Sequence, residues 1–140
     1  MKLIFKLCIP GYYEYIQIIK NSTEKVLETF KINEEELYTT KLAVAEAAIN
    51  IIKHSYKGEG DNLIEYSIYS NYKDEIRFIF EDNGDKIDLK NIKSRDLDKL
   101  DDHGLGVYLI KSIMDKVEYK HVEKGTKLSM TKKIGVDFDA

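Results

Sequence analysis

The chain has 140 residues, a length that suits one domain, and its apolar fraction of 43% is ordinary for a core of that size. Its net charge of −3 and scattered basic residues disfavour a dedicated nucleic-acid binder. The single cysteine, Cys8, excludes an intrachain disulfide and a cysteine-based zinc site, and no apolar run approaches membrane-spanning length. We therefore predict one cytoplasmic domain over residues 1–140, with no direct nucleic-acid or membrane partner.

The first third of the chain predicts a strand followed by two helices. Residues 2–9 alternate in hydropathy as a strand does, and Cys8 is expected to be a buried side chain within that strand. The Pro10-Gly11 turn then ends the strand and opens a helix over 12–30. Asn33 is placed to cap the second helix, whose acidic first turn suits the helix dipole.

Three polar residues spaced by four, Glu46, Asn50 and His54, share one face of that second helix, which continues to Tyr56. Glu46 offers a proton acceptor and Asn50 a neutral oxygen suited to a hard cation. One alternative is that the stripe is only the solvated edge of an amphipathic helix. Another is a transition-metal site, although asparagine is a poor zinc ligand.

The rest of the chain predicts two hairpins separated by a long loop and a third helix. The hairpin strands are 63–69 with 75–80, and 116–121 with 126–132. Residues 85–103 show no clear periodicity, and a connection of that length is usually a functional lid or disordered. We therefore regard 85–103 as a candidate lid.

Two glycine motifs flank this loop. The strand before Asp82 delivers its carboxylate into a turn that contains Gly84, and Gly104-Leu-Gly106 precedes a helical pattern. Glycines at a helix start let backbone N–H groups approach an anion. Alone, the first motif also fits a simple turn and the second a simple helix entry. The sequence contains no Walker motif and lacks the third glycine, at position 109, of a dinucleotide fingerprint.

The order of these motifs resembles the N, G1, G2 and G3 boxes of the GHKL ATPase superfamily. Within this superfamily, the sequence around Asn50 is most similar to that of the bacterial anti-sigma-factor serine kinases. The resemblance implies an α/β (α+β) fold of Bergerat type, a two-layer α/β sandwich whose mixed, mostly antiparallel sheet carries helices on one face. The matching motifs are Glu46-x3-Asn50-x3-His54, Asp82-x-Gly84, Gly104-Leu-Gly106 and Gly125-Thr126.

Two departures from the family pattern affect different parts of the molecule. Lys86 stands where the wider superfamily has a second glycine in its first glycine box, so the geometry of that loop should differ. Many relatives carry an arginine late in the first helix that grips the partner, and this chain offers only Lys20 there. Lysine lacks the planar bidentate geometry of arginine, so the partner-binding mode is the part placed in question.

The resemblance also implies roles for individual residues in binding ATP and Mg²⁺. Asp82, beside Gly84, would accept a hydrogen bond from the adenine amino group, and Thr126 would support that contact. Asn50 would hold Mg²⁺, and Glu46 would orient or deprotonate the attacking hydroxyl. Arg95, in the lid, would reach the terminal phosphate. Backbone N–H groups of the segment Gly104, Leu105, Gly106 and Val107 would meet the phosphates.

The resemblance further implies an anti-sigma factor that is also a serine/threonine protein kinase. Such a protein sequesters a sigma factor, phosphorylates an anti-sigma-factor antagonist protein and forms a homodimer. One alternative is a nucleotide-binding regulatory module that sequesters a partner without phosphotransfer. Another is a histidine-kinase catalytic module used in trans, although the chain has no dimerisation helix carrying a phosphoacceptor histidine.

Overall fold

The computed structural model describes residues 1–84 and 102–134, which form five strands and three α-helices. Among these residues, no helix combines the length and apolar character needed to cross a bilayer. In chain order the elements are β1 (Lys2–Gly11), a 3-10 turn (Tyr13–Tyr15), α1 (Ile16–Leu27), α2 (Glu34–Asn50), a π-helix (Ile51–Ser55), β2 (Gly60–Ser70), β3 (Glu75–Glu81), α3 (Asp102–Ile113), β4 (Lys116–His121) and β5 (Thr126–Lys133).

The five strands form one sheet in the order β1-β2-β3-β5-β4. Every neighbouring pair in the described residues is antiparallel, so the predicted mixed character of the sheet is wrong. The reason lies in the last hairpin. The chain reaches the sheet edge as β4 and returns as β5 beside β3, so β4 and β3 run in the same direction without being neighbours.

The helices cover one face of this sheet and bury a common core, which confirms the predicted two-layer α+β architecture. Buried positions alternate along β3, as period-two strands require. In β2 the apolar residues Ile64, Tyr66 and Ile68 alternate in the same way, although Ser67 between them is buried as well. The one fully buried tyrosine, Tyr66, stacks on Phe80 with ring centroids 4.5 Å apart, and its hydroxyl is hydrogen-bonded to Thr23 Oγ1 at 2.6 Å. The largest fully buried side chains are Tyr66, Phe78, Phe80, Ile19, Leu27, Ile52, Ile64, Ile68, Ile76, Ile110, Met130 and Val44.

The first strand and first helix differ from their predicted limits. Pro10 and Gly11 do not end β1 but continue it, opposite Leu63 and Gly60 of β2, with a register irregularity between them. Proline is tolerated there because β1 is an edge strand. The α-helix then begins only at Ile16, after the 3-10 turn.

Cys8 is exposed, so its predicted burial is wrong. Successive side chains of a strand point to opposite faces, and Ile9 takes the buried position beside it. Cys8 therefore lies on the sheet face away from the helices, where a local apolar run does not ensure burial.

The second helix begins as predicted and ends differently. Asn33 caps it, because its Oδ1 accepts a hydrogen bond from Glu36 N at 2.7 Å. The α-helical part stops at Asn50, and a π-helix follows in which Tyr56 N donates to Ile51 O at 2.9 Å. Because a π-helical turn is wider than an α-helical one, His54 does not continue the helix face that Glu46 and Asn50 share.

Candidate active site

One pocket lies between the end of α2 and the strands β3, β4 and β5. Its volume is about 370 Å³, counted to its open mouth. Asn50, Asp82 and Thr126 come from three separate motifs, and the fold brings them to this one cavity. The pocket is lined by Ala47, Asn50, Ile51, Ser55, Phe80, Asp82, Tyr119, Thr126 and Leu128.

Asp82 follows directly after β3 and is only 5% exposed. Its Oδ1 accepts a hydrogen bond from Gly84 N at 3.0 Å, and its Oδ2 accepts one from Ser55 Oγ at 3.3 Å. Burial raises the pKa of the Asp82 carboxyl, and these hydrogen bonds oppose that rise because they favour the charged form. A carboxylate has about four lone-pair sites, so it retains acceptor capacity for a ligand.

Glycines at two turns allow the backbone to close around Asp82. Gly125 has φ +81°, and a Cβ built there would lie 2.0 Å from the Asp82 carbonyl oxygen. A Cβ on Gly84 would lie 2.3 Å from the Ser55 carbonyl oxygen. A side chain at either position would therefore displace the turn that carries Asp82, and position 125 also requires a left-handed backbone.

Two polar atoms of the site have no hydrogen-bond partner among the described residues although both are buried. They are Asn50 Nδ2 and Thr126 Oγ1, and the residues that carry them line the pocket with Asp82. A buried unpaired polar group costs about 1–3 kcal/mol. The pocket is therefore suited to a ligand that carries hydrogen-bonding groups rather than a purely apolar one.

Glu46 lies one turn before Asn50 on α2 and is half-buried beneath α3. A Cβ built on Gly106 of α3 would lie 2.9 Å from Glu46 Oε2 and 3.1 Å from both Asn50 Oδ1 and Asn50 Nδ2. Gly106 thus allows α3 to approach this polar pair closely. Glu46 does not line the pocket itself, so the polar pair and the Asp82 cavity meet at Asn50.

The second glycine motif lies inside α3 rather than before it, because the helix begins at Asp102. Gly104 and Leu105 fall in its first turn, where backbone N–H groups lack partners within the helix. Gly106 lies one position after the residues whose N–H groups lack partners within the helix. Its absence of a side chain instead allows α3 to approach α2 closely. Val107 is fully buried, so its side chain belongs to the core.

The remaining predicted site residues are less closely tied to this arrangement. His54 is half-buried in the π-helix and does not line the pocket. Residues 85–101, which include Arg95 and almost all of the predicted lid, lie outside the described residues. Over 1–84 and 102–134 there is no group of three His, Cys, Asp or Glu that could hold a metal, so nothing there supports the transition-metal alternative.

Sequence reasoning missed several residues that line the pocket. Ser55 was adjacent to the recognised stripe, but only the π-helix turns it towards Asp82. Tyr119 and Phe80 belong to strands whose alternation predicts which face they occupy, not that a cavity opens there. A pocket between a helix end and three strands depends on their relative placement, which no local pattern encodes.

We expect Gly106→Ala to separate stability from ligand binding. Alanine favours a helix over glycine by about 1 kcal/mol, so thermal stability should be unchanged or higher. The added methyl would press on Glu46 and Asn50 and should weaken binding of a ligand in the pocket that Asn50 lines by about tenfold, the equivalent of roughly 1.4 kcal/mol. Thermal unfolding and calorimetric titration measure the two effects. Unchanged ligand affinity would show that the polar pair beneath Gly106 takes no part in ligand binding.

Comparison with known sequences finds relatives over most of the chain. The family model of the histidine kinase-like ATPase domain matches residues 9–132. The chain is 35% identical over 136 residues to serine-protein kinase RsbW of Staphylococcus aureus, a match that covers 90% of this chain and 84% of that protein.

Solved structures share the fold at lower sequence identity. A structure of the RsbU and RsbW domains of a Mycobacterium tuberculosis protein aligns with TM-score 0.68 and 11% identity over 93% of this chain, which spans only 31% of that longer chain. A chain in the SiaB-SiaC complex of Pseudomonas aeruginosa aligns with TM-score 0.65 and 15% identity, over 95% of this chain and 90% of that one. From the family match and the identity to RsbW together, the chain belongs to the histidine kinase-like ATPase family, in its serine-protein kinase branch.

Proposed function

We propose that the chain binds Mg-ATP in the Asp82 pocket and transfers the γ-phosphate to a serine or threonine of an antagonist protein. The observation that carries this proposal is a pair of buried polar atoms without a hydrogen-bond partner in residues 1–84 and 102–134, Asn50 Nδ2 and Thr126 Oγ1, beside the buried carboxylate of Asp82. Two groups that need partners and one strong acceptor converge on an otherwise apolar cavity. An adenine nucleotide supplies both a flat apolar base and complementary polar atoms.

The adenine amino group is the natural partner of Asp82. A buried carboxylate with remaining acceptor capacity favours a donor, and guanine presents a carbonyl oxygen at the same ring position. The Thr126 hydroxyl, which either donates or accepts, supports the same edge of the base. Phe80, Leu128 and Ile51 supply apolar contacts in the cavity. The pocket therefore selects adenine over guanine in two ways, because the Asp82 carboxylate attracts the amino group of adenine and repels the carbonyl oxygen of guanine.

Asn50 is suited to hold a magnesium ion that would arrive with the nucleotide. It lines the pocket, and its amide oxygen is the hard, neutral donor that would bind the ion. When bound, the ion neutralises charge on the phosphates. Backbone N–H groups of Gly104 and Leu105, in the first turn of α3, would meet the same phosphates. Arg95, which lies outside the described residues, is proposed to bind the terminal phosphate.

Glu46 is the proposed catalytic base. It lies beside Asn50 and beneath Gly106, next to the place where the terminal phosphate would lie. It accepts the proton of the substrate hydroxyl as that oxygen forms its bond to the γ-phosphorus and the bond to the β-phosphate oxygen breaks. Positioning and electrostatics supply most of the rate in such transfers, and a base contributes about 10²–10⁴-fold.

The proposed partners follow from the similarity to RsbW and from the resemblance in the motifs. We propose that a homodimer of the single domain 1–140 acts as an anti-sigma factor, which sequesters a sigma factor and phosphorylates an anti-sigma-factor antagonist protein. A structural relative is part of a two-protein complex, which supports a partner-binding role for the fold. Lys20 stands where many relatives have an arginine. We therefore propose that this chain binds its partner more weakly, or in a different orientation, than those relatives do.

Two experiments test the proposal and its rival, the module that binds nucleotide without transferring phosphate. Calorimetry should show ATP binding that is stronger with Mg²⁺ than with a chelator, and much weaker GTP binding. Proteins captured from cell extract on the purified chain should acquire labelled phosphate from ATP. Nucleotide binding without any transfer would favour the rival, and absence of ATP binding would exclude both.

A further inference from the structure

The π-helix at the end of α2 directs two consecutive side chains to the turn that carries Asp82. An α-helix continued through 51–56 would keep its i to i+4 hydrogen bonds, but here Tyr56 N donates to Ile51 O and Gly58 N to Ile52 O. π-helical turns are rare and frequently occur at functional sites. The consequence in this chain is that Ser55 and Tyr56 both contact residues 82–84.

Ser55 contacts this turn twice. Its hydroxyl donates to Asp82 Oδ2 at 3.3 Å, while Gly84 N holds the other carboxylate oxygen at 3.0 Å. The Ser55 carbonyl lies so close to Gly84 that a Cβ there would come within 2.3 Å of it. Ser55 is itself only 6% exposed, so its hydroxyl has few alternatives to Asp82 as a partner.

Tyr56 holds the middle of the same turn. Its hydroxyl accepts a hydrogen bond from Asn83 N at 3.1 Å and donates to Leu63 O in β2. The ring packs against Gly11 of β1, where a Cβ would lie 3.3 Å from Tyr56 Cδ2. The turn after β3 is thereby connected through Tyr56 to β2, the neighbour of β3, and to the edge strand β1.

We propose that Ser55 and Tyr56 are positioning residues for base selection, which orient the Asp82 carboxylate towards the exocyclic amino group of the bound purine. This proposal rests on the proposed function, in which Asp82 accepts from that group. Hydrogen bonds are steeply dependent on angle, so a carboxylate fixed at both oxygens discriminates among bases better than one that rotates. Ser55 also lines the pocket, but preorganisation of this kind acts on selectivity by fixing the acceptor oxygens of Asp82 before the ligand binds.

The test compares two nucleotides that differ in one group. ATP and purine riboside triphosphate, which lacks the 6-amino group, are titrated by calorimetry into wild type, Ser55→Ala and Tyr56→Phe. Wild type should prefer ATP by about tenfold or more, and Ser55→Ala should reduce that preference by about three- to tenfold. Tyr56→Phe should also reduce the preference for ATP. Thr40→Ala is the matched control, because it removes a buried hydroxyl of α2 that lies outside the pocket and has no hydrogen-bond partner in the described part of the chain, and it should leave the preference intact.

The possible outcomes separate this inference from the proposed function. If wild type binds both nucleotides equally, or binds neither, the assignment of Asp82 to the amino group is wrong. If wild type prefers ATP and Ser55→Ala weakens the binding of both nucleotides by the same factor, Ser55 supports the pocket without affecting base selection, and the inference is overturned. Should Ser55→Ala fail to fold, Tyr56→Phe decides the question, since an unchanged preference in that variant would overturn the inference too.

Discussion

Replacing Glu46 by glutamine should lower phosphate transfer by about a hundredfold or more while leaving ATP affinity near that of wild type. Glutamine keeps the size of the side chain and one acceptor oxygen, so its packing against Gly106 and Asn50 should persist. It removes the group that takes up the proton of the attacking hydroxyl. A loss confined to the transfer step is the expected signature of a base that acts only in the transition state.

The measurement is single-turnover transfer of labelled phosphate from ATP to the captured antagonist, with calorimetry for ATP affinity. Glu35→Gln provides a matched control, because Glu35 is an exposed residue in the first turn of the same helix. Transfer that survives in Glu46→Gln would remove Glu46 from the catalytic role. A parallel loss of ATP affinity would instead assign Glu46 to nucleotide binding.

The order of elements and the inward faces of the strands could be predicted because they depend on local periodicity. β3 alternates cleanly, and Asn33 caps α2 with the side-chain chemistry expected of an N-cap. The limits of β1 were harder to predict. Pro10 normally ends a regular element, but at the sheet edge β1 tolerates it, and that edge position is a tertiary property.

Parts of the candidate site were harder to predict than the fold, because they depend on how elements approach one another. The sequence suggested that Gly106 brings backbone to a phosphate at the start of a helix, whereas the structure places it within α3 and against Glu46. The π-helix was equally invisible, since residues 51–56 have ordinary helical character in isolation. Its contacts with residues 82–84 become evident only when β3 is in place beside it.

Replacing Asp82 by asparagine should weaken ATP binding by about ten- to a hundredfold. The change removes a charged acceptor, whose hydrogen bond is worth about 1.5–3 kcal/mol, and can present a donor to the adenine amino group instead. Asparagine is nearly the same size, so the pocket should keep its shape. Calorimetric titration with ATP measures the change, and the preference for ATP over GTP should fall with it. Equal ATP affinity in wild type and variant would show that Asp82 does not read the base.

The same substitution should raise the stability of the nucleotide-free protein. Burial raises the pKa of Asp82 in the folded state above its ordinary unfolded value of about 3.9, so the folded protein binds that proton more readily than the unfolded chain. The contribution of Asp82 to stability therefore falls as pH rises from about 4 through the raised pKa, and the charged group destabilises the fold at neutral pH. Asp82→Asn removes this cost, so its advantage in the free energy of unfolding should be present at pH 7 and should shrink towards pH 4. Denaturant unfolding of the nucleotide-free protein from pH 4 to pH 7 measures whether Asp82→Asn raises or lowers the free energy of unfolding. A variant less stable than wild type at pH 7 would mean that the hydrogen bonds from Ser55 and Gly84 stabilise the Asp82 carboxylate by more than its burial destabilises it.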